Sequence, residues 1–260
     1  MKLIEFRRST IKYAEKEIIK DFSFEIEENK HVSIIGRGAS GKTSFLKALT
    51  DVSVITDLYL LERMLIRQQK PIREIIAVVL NDMYFLGDKL YNELAFSLRN
   101  RGASEEEVEE KVNEILDEFN LREFSDHDIS LLSDEQKILA RILSFLIYEP
   151  KVIAIDDLFI YLTNAVKAKL MKYIKKRKIT LLLVTSDIED TLLTDYIYVF
   201  ENKKIIEEGE IKNIYNQEKL LNDIGYGLPF IVELSSGLKA YGLTDKIHLN
   251  KRKLVSAIWK

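Results

Sequence analysis

Residues 36–43 read Gly-Arg-Gly-Ala-Ser-Gly-Lys-Thr, two glycines bounding four residues and followed by a lysine and a hydroxyl side chain. That spacing suits chemistry on a phosphate chain. Gly36, Gly38 and Gly41 let the backbone turn tightly, so that its N–H groups converge on an anion. Arg37, Ala39, Ser40 and Ser44 complete the cradle. Lys42 offers a cation to the terminal phosphates, and the Thr43 hydroxyl a ligand for magnesium. Far along the chain, Val152-Ile-Ala-Ile155 ends in Asp156-Asp157. An acidic pair closing a buried strand is where a P-loop site holds magnesium and positions the attacking water. In this reading Asp156 takes the metal through water. The two segments together predict binding of a nucleoside triphosphate with Mg2+.

Such residues work only if regular elements hold them. His31-Val-Ser-Ile-Ile35 is an apolar strand entering the loop, and Ser44-Phe-Leu-Lys-Ala-Leu49 is helical in pattern on leaving it. The positive end of that helix, which begins near Lys42, favours the same anion. Leu3 to Glu27 alternates in strand fashion, with Phe22, Phe24 and Ile26 on one face. Ile75–Leu80, Val152–Ile155 and Leu181–Thr185 are short unbroken apolar runs, the pattern of strands buried on both faces. Between them lies helical material. Ser104 and Glu107 have capping-box spacing, and Val108, Val112, Ile115, Leu116 and Phe119 form one buried stripe opposite a solvated acidic face. Lys175-Lys176-Arg177-Lys178 ends another helix, where cations suit the negative end of its dipole. Tyr196–Val199 and Lys204–Ile206 flank Glu201-Asn202-Lys203 as a hairpin. The fold class is α/β.

Composition narrows the function. A chain of 260 residues holds one large domain, or one with a small appendage. It contains no cysteine, which removes disulfides and thiolate metal sites. A net charge of -3 argues against a nucleic-acid binder held by a basic field. No apolar run approaches the roughly 18–20 residues of a spanning helix. Met1-Lys-Leu-Ile-Glu-Phe-Arg-Arg8 lacks the apolar stretch of a secretory signal, so a cytoplasmic protein is expected.

In this frame the chain resembles the ATP-binding subunits of ABC transporters over nearly its full length. Tyr13 falls where that family places the aromatic residue that stacks on adenine, though an ordinary strand aromatic has the same appearance. Leu132-Ser133-Asp134-Glu135-Gln136 precedes Ile147-Tyr148-Glu149-Pro150-Lys151 and the acidic strand at the family's signature spacing. Val184-Thr185-Ser186-Asp187 corresponds to the switch strand, and Lys204-Ile-Ile-Glu-Glu-Gly209 to the hairpin after it. A narrower resemblance, to the energy-coupling factor (ECF) group, is carried by Asn92-Glu-Leu-Ala-Phe96-Ser-Leu98 with Gly102-Ala-Ser-Glu-Glu-Glu107, and by Gly227-Leu-Pro-Phe-Ile-Val-Glu-Leu234 with Gly242-Leu243. It implies a P-loop nucleotidase of ABC type over residues 1–225. An antiparallel β subdomain, a helical subdomain at about 82–150 and a small C-terminal dimerisation domain at 226–260 are implied with it.

The resemblance also implies a role for each site residue. ATP would be held by Tyr13, by residues 36–44 and, on a partner's nucleotide, by Ser133; Mg2+ would be held by Thr43 and Asp156. Asp157 would stand at the position of the catalytic glutamate and Ser186 at that of the switch histidine, each a departure from the pattern. Leu80 replaces the Q-loop glutamine, unless a one-residue slip brings Asn81 there, and Thr163 replaces the D-loop aspartate. Asp134 and Glu135 stand where the signature has glycines. A carboxylate one methylene short misplaces its water by about an ångström, which costs on the order of a hundredfold in rate. The expected protein is therefore a nucleotide-binding subunit of a vitamin or metal-ion importer, weak or inactive as an ATP hydrolase by itself. It would work in a heterodimer with a second ECF-type ATPase subunit.

The implied partners further include a transmembrane coupling subunit and a substrate-binding membrane subunit. The location would be peripheral, at the cytoplasmic face of the membrane, with no nucleic acid. Asp82 is either a contact for a cation of the membrane subunit or a solvated loop residue. A nucleotide-sensing scaffold is the alternative from another class, while a small-molecule kinase has no place for the signature-like segment. Phe230, Ile231, Leu234, Leu238, Tyr241 and Leu243 recur at helical spacing, so the tail is expected either to fold back on its own domain or to pair with a partner. Pairing, favoured by the resemblance, predicts that removing residues 226–260 leaves nucleotide binding largely intact but weakens association with the partner ATPase.

Overall fold

The computed structural model describes residues 2–13, 16–50, 55–60, 75–82 and 84–259, with only the backbone for 13, 16 and 55–60. The chain opens with two long antiparallel strands, β1 (Lys2–Tyr13) and β2 (Lys16–Glu27). Together with β4 (Ile55–Leu60) they form a three-stranded sheet in the order β2-β1-β4. The larger sheet has the order β5-β6-β7-β3-β8-β9. Its strands are β3 (Val32–Gly36), β5 (Ile76–Val79), β6 (Val152–Asp156), β7 (Thr180–Val184), β8 (Tyr196–Glu201) and β9 (Lys204–Glu210). All neighbours run parallel except β8 and β9, which form the expected hairpin. Asn202 and Lys203 both take positive φ at its turn, 48° and 62°, the twist that a tight two-residue connection needs.

The parallel strands are buried from end to end because both sheet faces are covered. Alternate residues serve opposite cores. On one face Val32, Ile34, Val152, Ala154, Leu182 and Val184 pack under α1 (Lys42–Thr50) and the small sheet. On the other, Ile153, Ile155, Leu181 and Leu183 meet α2 (Leu90–Arg99), α3 (Glu105–Glu118), α4 (Asp134–Leu146) and α5 (Asn164–Lys176). Phe45 anchors α1 two residues beyond Thr43. Its ring lies 4.7 Å from Phe24 and 5.6–5.8 Å from Phe6, Phe22 and Phe200, so the small sheet and β8 jointly fix the helix that leaves the glycine-rich loop.

The expected stripe on α3 is buried throughout. Ser104 accepts a hydrogen bond from Glu107 N at 3.2 Å, while Glu107 itself pairs with Lys111. The complete capping box lies elsewhere, at Ser133 and Gln136, where sequence reading had seen a signature.

The tail follows through α6 (Ile211–Tyr215), α7 (Glu218–Asp223), α8 (Phe230–Ala240) and α9 (Lys251–Ile258). It is not one amphipathic stripe. Ile231, Val232 and Leu254 are buried with Ile224 and Tyr226 against Ile35, Ile197 and Val199 of the large sheet, and Leu238 packs there in part. Phe230, Leu234, Tyr241 and Leu243 remain exposed. Fold-back is observed directly for the first set. Among the described residues no helix is long and apolar enough to cross a membrane.

His31, at the entry to β3, is buried, and its Nδ1 accepts a hydrogen bond from Leu181 N at 3.2 Å. Burial pushes its pKa below the ordinary 6.5, against a smaller opposite pull from Asp195. The unfolded chain therefore takes up a proton first. Stability from the neutral ring is complete above the unfolded value and drains away as pH falls through it toward the lowered folded value. The Tm of the protein should drop as pH falls through the ordinary 6.5, and His31→Gln should flatten that slope. Identical slopes in the two proteins would assign the acid sensitivity to other groups.

Candidate functional site: a phosphate cradle with an acidic strand end

β3 delivers the chain to the loop through Gly36. Its φ is 150°, and a Cβ built there would stand 2.0 Å from the carbonyl oxygen of Phe200 on the neighbouring strand. Only glycine fits. Gly41, with φ 104°, makes the second turn, into α1. Gly38 lies in a tight turn closed by Ser40 N on Arg37 O at 3.3 Å, but without a positive φ, and a Cβ there would meet nothing within 4 Å. Ala39 takes the left-handed conformation instead, at φ 60°. For an L-residue with a Cβ this costs about 1–2 kcal/mol.

Lys42 folds back over the loop, its Nζ donating to Gly36 O at 2.7 Å, Arg37 O at 2.8 Å and Ser40 Oγ at 3.3 Å. Desolvation holds its pKa below the usual lysine value, opposed by Asp157, Asp156 and Glu201. An arriving phosphate would replace weak carbonyl acceptors by a full negative charge, which this desolvated ammonium favours. Thr43 Oγ1 donates to Asp156 Oδ1 at 3.3 Å. Burial raises the pKa of Asp156, with neighbouring Asp157 pushing the same way and Thr43 opposing. A buried carboxylate beside a second carboxylate and a hydroxyl suits a divalent cation. Among the described residues no group of three His, Asp or Glu side chains could hold a metal alone. The residues present fit a divalent cation that shares its coordination with a bound ligand.

Asp157 follows at φ 54°, its N–H donating to Val184 O on β7. Its carboxylate is already engaged. Ser186 N and Ser186 Oγ both donate to Asp157 Oδ1 at 2.8 Å, and Oγ also lies 3.1 Å from Oδ2. The structure thus joins the two residues expected at the catalytic and switch positions. Arg37 instead leans away from the cradle, its guanidinium on Asp223 O and 3.8 Å from Glu201. The Tyr13 side chain lies outside the described residues.

A cavity of about 300 Å3 lies over the loop, lined by Ala39, Ser40, Gly41, Lys42, Thr43 and Ser44 together with Ile18 of β2 and Lys203 of the β8–β9 turn. Sequence reading missed Lys203. Its N–H donates to Ser40 O at 3.1 Å, a contact that its place in a hairpin did not reveal.

Comparison with known proteins decides the family. The ABC transporter family model matches residues 19–159. The chain belongs to the ABC transporter family. Among curated relatives, the energy-coupling factor transporter ATP-binding protein EcfA1 of Listeria innocua is 29% identical over 256 residues, covering 95% of this chain and 92% of that protein. EcfA of Enterococcus faecium is 26% identical, covering 99% and 97%. CbiO1 of Clostridium perfringens, described as part of the ABC transporter complex CbiONQ, superposes with a TM-score of 0.70 at 20% identity, covering 86% of this chain and 94% of that one. The dimeric ABC cassette MJ0796 gives 0.66 at 22%, covering 80% and 98%. These likenesses support the expected ABC-type fold.

The remaining positions singled out by the family pattern lie apart from the cradle. Ser133 caps α4, its Oγ accepting from Gln136 N at 3.2 Å while Gln136 Oε1 accepts from Ser133 N at 2.8 Å. Glu135 does not face solvent freely: its Oε1 accepts from Thr163 N at 2.6 Å, tying α4 to the residue before α5. Leu80 packs partly against the core under α1. The Asn81 carbonyl accepts from Arg141 Nη1 at 2.9 Å. Asp82 pairs with Lys47 of α1 at 2.7 Å.

Two substitutions test the cradle. Lys42→Ala should weaken Mg-ATP binding by roughly tenfold to a hundredfold, the loss of hydrogen bonds from a charged donor. Ala39→Gly should raise unfolding stability by about 0.5–1 kcal/mol by relieving the left-handed alanine. Calorimetry and denaturant titration read the two effects. Unchanged affinity in the first would remove Lys42 from the site.

Proposed function

We propose that this chain is the ATP-binding subunit of an ECF-type importer of vitamins or metal ions, and the weakly catalytic member of a pair of ATPase subunits. The observation that carries the reading is the joining of the Lys42 cradle, Thr43, Asp156 and the Asp157–Ser186 pair at the carboxyl ends of the parallel strands β3, β6 and β7, in a chain similar over most of its length to ECF transporter ATP-binding proteins. Residues 1–225 act as the ATPase domain, with the helices of about 82–150 as its helical subdomain and 226–260 as a dimerisation element. Tyr13 stacks on the adenine, and Ser133 serves the partner's nucleotide.

In this proposal Lys42 and the loop amides bind and orient the triphosphate, while Thr43 and Asp156 hold the cation. Magnesium, when bound, draws charge from the phosphate oxygens. Turnover is slow because the carboxylate that should orient the attacking water is spent on Ser186. Both protons of that interaction come from one residue, and Ser186 offers no imidazole to replace them. Closure of the pair on ATP, followed by reopening, drives the membrane subunits. These would dock beside Leu80, where Tyr84, Leu86 and Phe96 leave apolar surface exposed next to Arg141. The chain then lies peripherally on the cytoplasmic face.

The partner ATPase would meet the exposed tail face of Phe230, Leu234, Tyr241 and Leu243. Residues 226–260 cannot simply be removed to test this, since Tyr226, Ile231 and Val232 are part of the core. A surface change is the right probe.

Two outcomes are expected. The isolated chain should hydrolyse ATP slowly, and Asp157→Glu combined with Ser186→His should raise turnover more than either change alone, because the two side chains touch. Fast hydrolysis by the unmodified chain, measured as phosphate release, would contradict the weak-site reading. Leu234→Asp with Tyr241→Ser should weaken association with the partner ATPase in ultracentrifugation, by about tenfold or more, and leave Mg-ATP affinity unchanged. Undiminished association would place the pairing surface elsewhere.

A further inference from the structure

The junction between the ATPase domain and the tail enters the nucleotide site through one hydroxyl. Tyr226 is 9% exposed, and its Oη accepts from Gly36 N at 3.3 Å while lying 3.2 Å from Gly36 O and 3.1 Å from Thr185 O. A phenol has one proton to give, so that proton is shared between the two carbonyls. Both carbonyls belong to the machinery. Gly36 O also accepts from Lys42 Nζ, and Thr185 immediately precedes Ser186, whose N–H and hydroxyl hold Asp157. Two further bonds brace the same junction: the Arg37 side chain donates to Asp223 O, and Phe230 N donates to Glu189, in the turn after the switch strand.

We infer that Tyr226 is a positioning residue of the nucleotide site, bridging the end of β3, whose Gly36 carbonyl holds Lys42, and the stretch just after β7 that leads into Ser186. The tail is thereby a working part of that site. The inference rests on the nucleotide reading above. It has a consequence that bulk packing does not have. Losing the hydroxyl alone, with the ring kept, alters ligand affinity. The last ladder bond between β3 and β7 runs from Thr185 N to Ile34 O. The Gly36 carbonyl beyond it then loses its bridge through Tyr226 to Thr185, leaving Lys42 on a less fixed acceptor.

The test compares two full-length variants. Tyr226→Phe removes the shared proton and keeps the ring. Ser235→Ala removes another buried tail hydroxyl, one that accepts from His248 N at 2.8 Å within the tail itself. Both should lower Tm. Only Tyr226→Phe should weaken Mg-ATP binding, by about fivefold, the effect of one hydrogen bond. Calorimetry showing wild-type affinity in Tyr226→Phe, or an equal loss in Ser235→Ala, overturns the inference. Lys42→Ala separates the two readings. If it weakens binding as expected and Tyr226→Phe does not alter affinity, only the role of Tyr226 falls. If the wild-type chain takes up no Mg-ATP, the nucleotide reading falls first. Should Tyr226→Phe fail to fold, hydrogen exchange on the wild type decides. Mg-ATP should slow exchange at residues 226–233 more than along α3, and equal slowing in both places contradicts the link.

Discussion

A Cβ atom at position 36 would lie 2.0 Å from the Phe200 carbonyl oxygen, and the nucleotide site is arranged around that close approach. With glycine there, β3 and β8 stay paired to the last residue, and the chain can leave the sheet at once into the loop. The Gly36 carbonyl then becomes a meeting point. Lys42 reaches it from the loop and Tyr226 from the tail. The helix beyond the loop is held from the opposite face by Phe45 among the rings of Phe6, Phe22, Phe24 and Phe200. Local chain geometry and aromatic packing thus pin the cradle from two sides. The desolvation that lowers the Lys42 pKa follows from this tight enclosure.

The same economy bears on catalysis. Asp157 and Ser186 satisfy one another, and Glu135 satisfies the Thr163 amide. In the proposed reading each of these side chains stands where an ABC ATPase keeps a group turned toward nucleotide, water or partner. Mutual satisfaction is the more stable arrangement for a site that binds, because an unpaired carboxylate in a partly buried cleft is costly. For a site that must hydrolyse, it withdraws the groups from the chemistry. In the proposed pair, binding by this chain contributes to closure while turnover falls to the other member.

Much of this was legible in the sequence because it is local. The loop, its strand and its helix are contiguous, and their spacing alone specifies the cradle. The acidic strand end is equally compact, as is the β8–β9 hairpin. What escaped was set by contacts between distant residues. Lys203 reaches the cradle only because β8 pairs with β3, and Tyr226 is 190 residues from Gly36. The tail's hydrophobic spacing suggested one stripe, but spacing does not say which residues of a stripe meet a sheet. Ile231 and Leu238 turned inward and Leu234 did not. Within residues 36–41 the turn includes Gly38 as the spacing suggested, but its left-handed position falls on Ala39, which glycine spacing does not reveal. The Ser133–Gln136 pair carried two meanings at once, a family signature and a helix cap, and the cap is the one its hydrogen bonds express.

The most direct measurement is a crystal structure of the full chain grown with Mg-ADP. The β-phosphate should sit in the cradle against the amides of residues 38–43, with Lys42 Nζ moved from the Gly36 and Arg37 carbonyls onto a phosphate oxygen and the cation beside Thr43 and Asp156. Nucleotide density elsewhere, or a cradle that stays closed by Lys42 at saturating Mg-ADP, would contradict the central claim that these residues form a working nucleotide site.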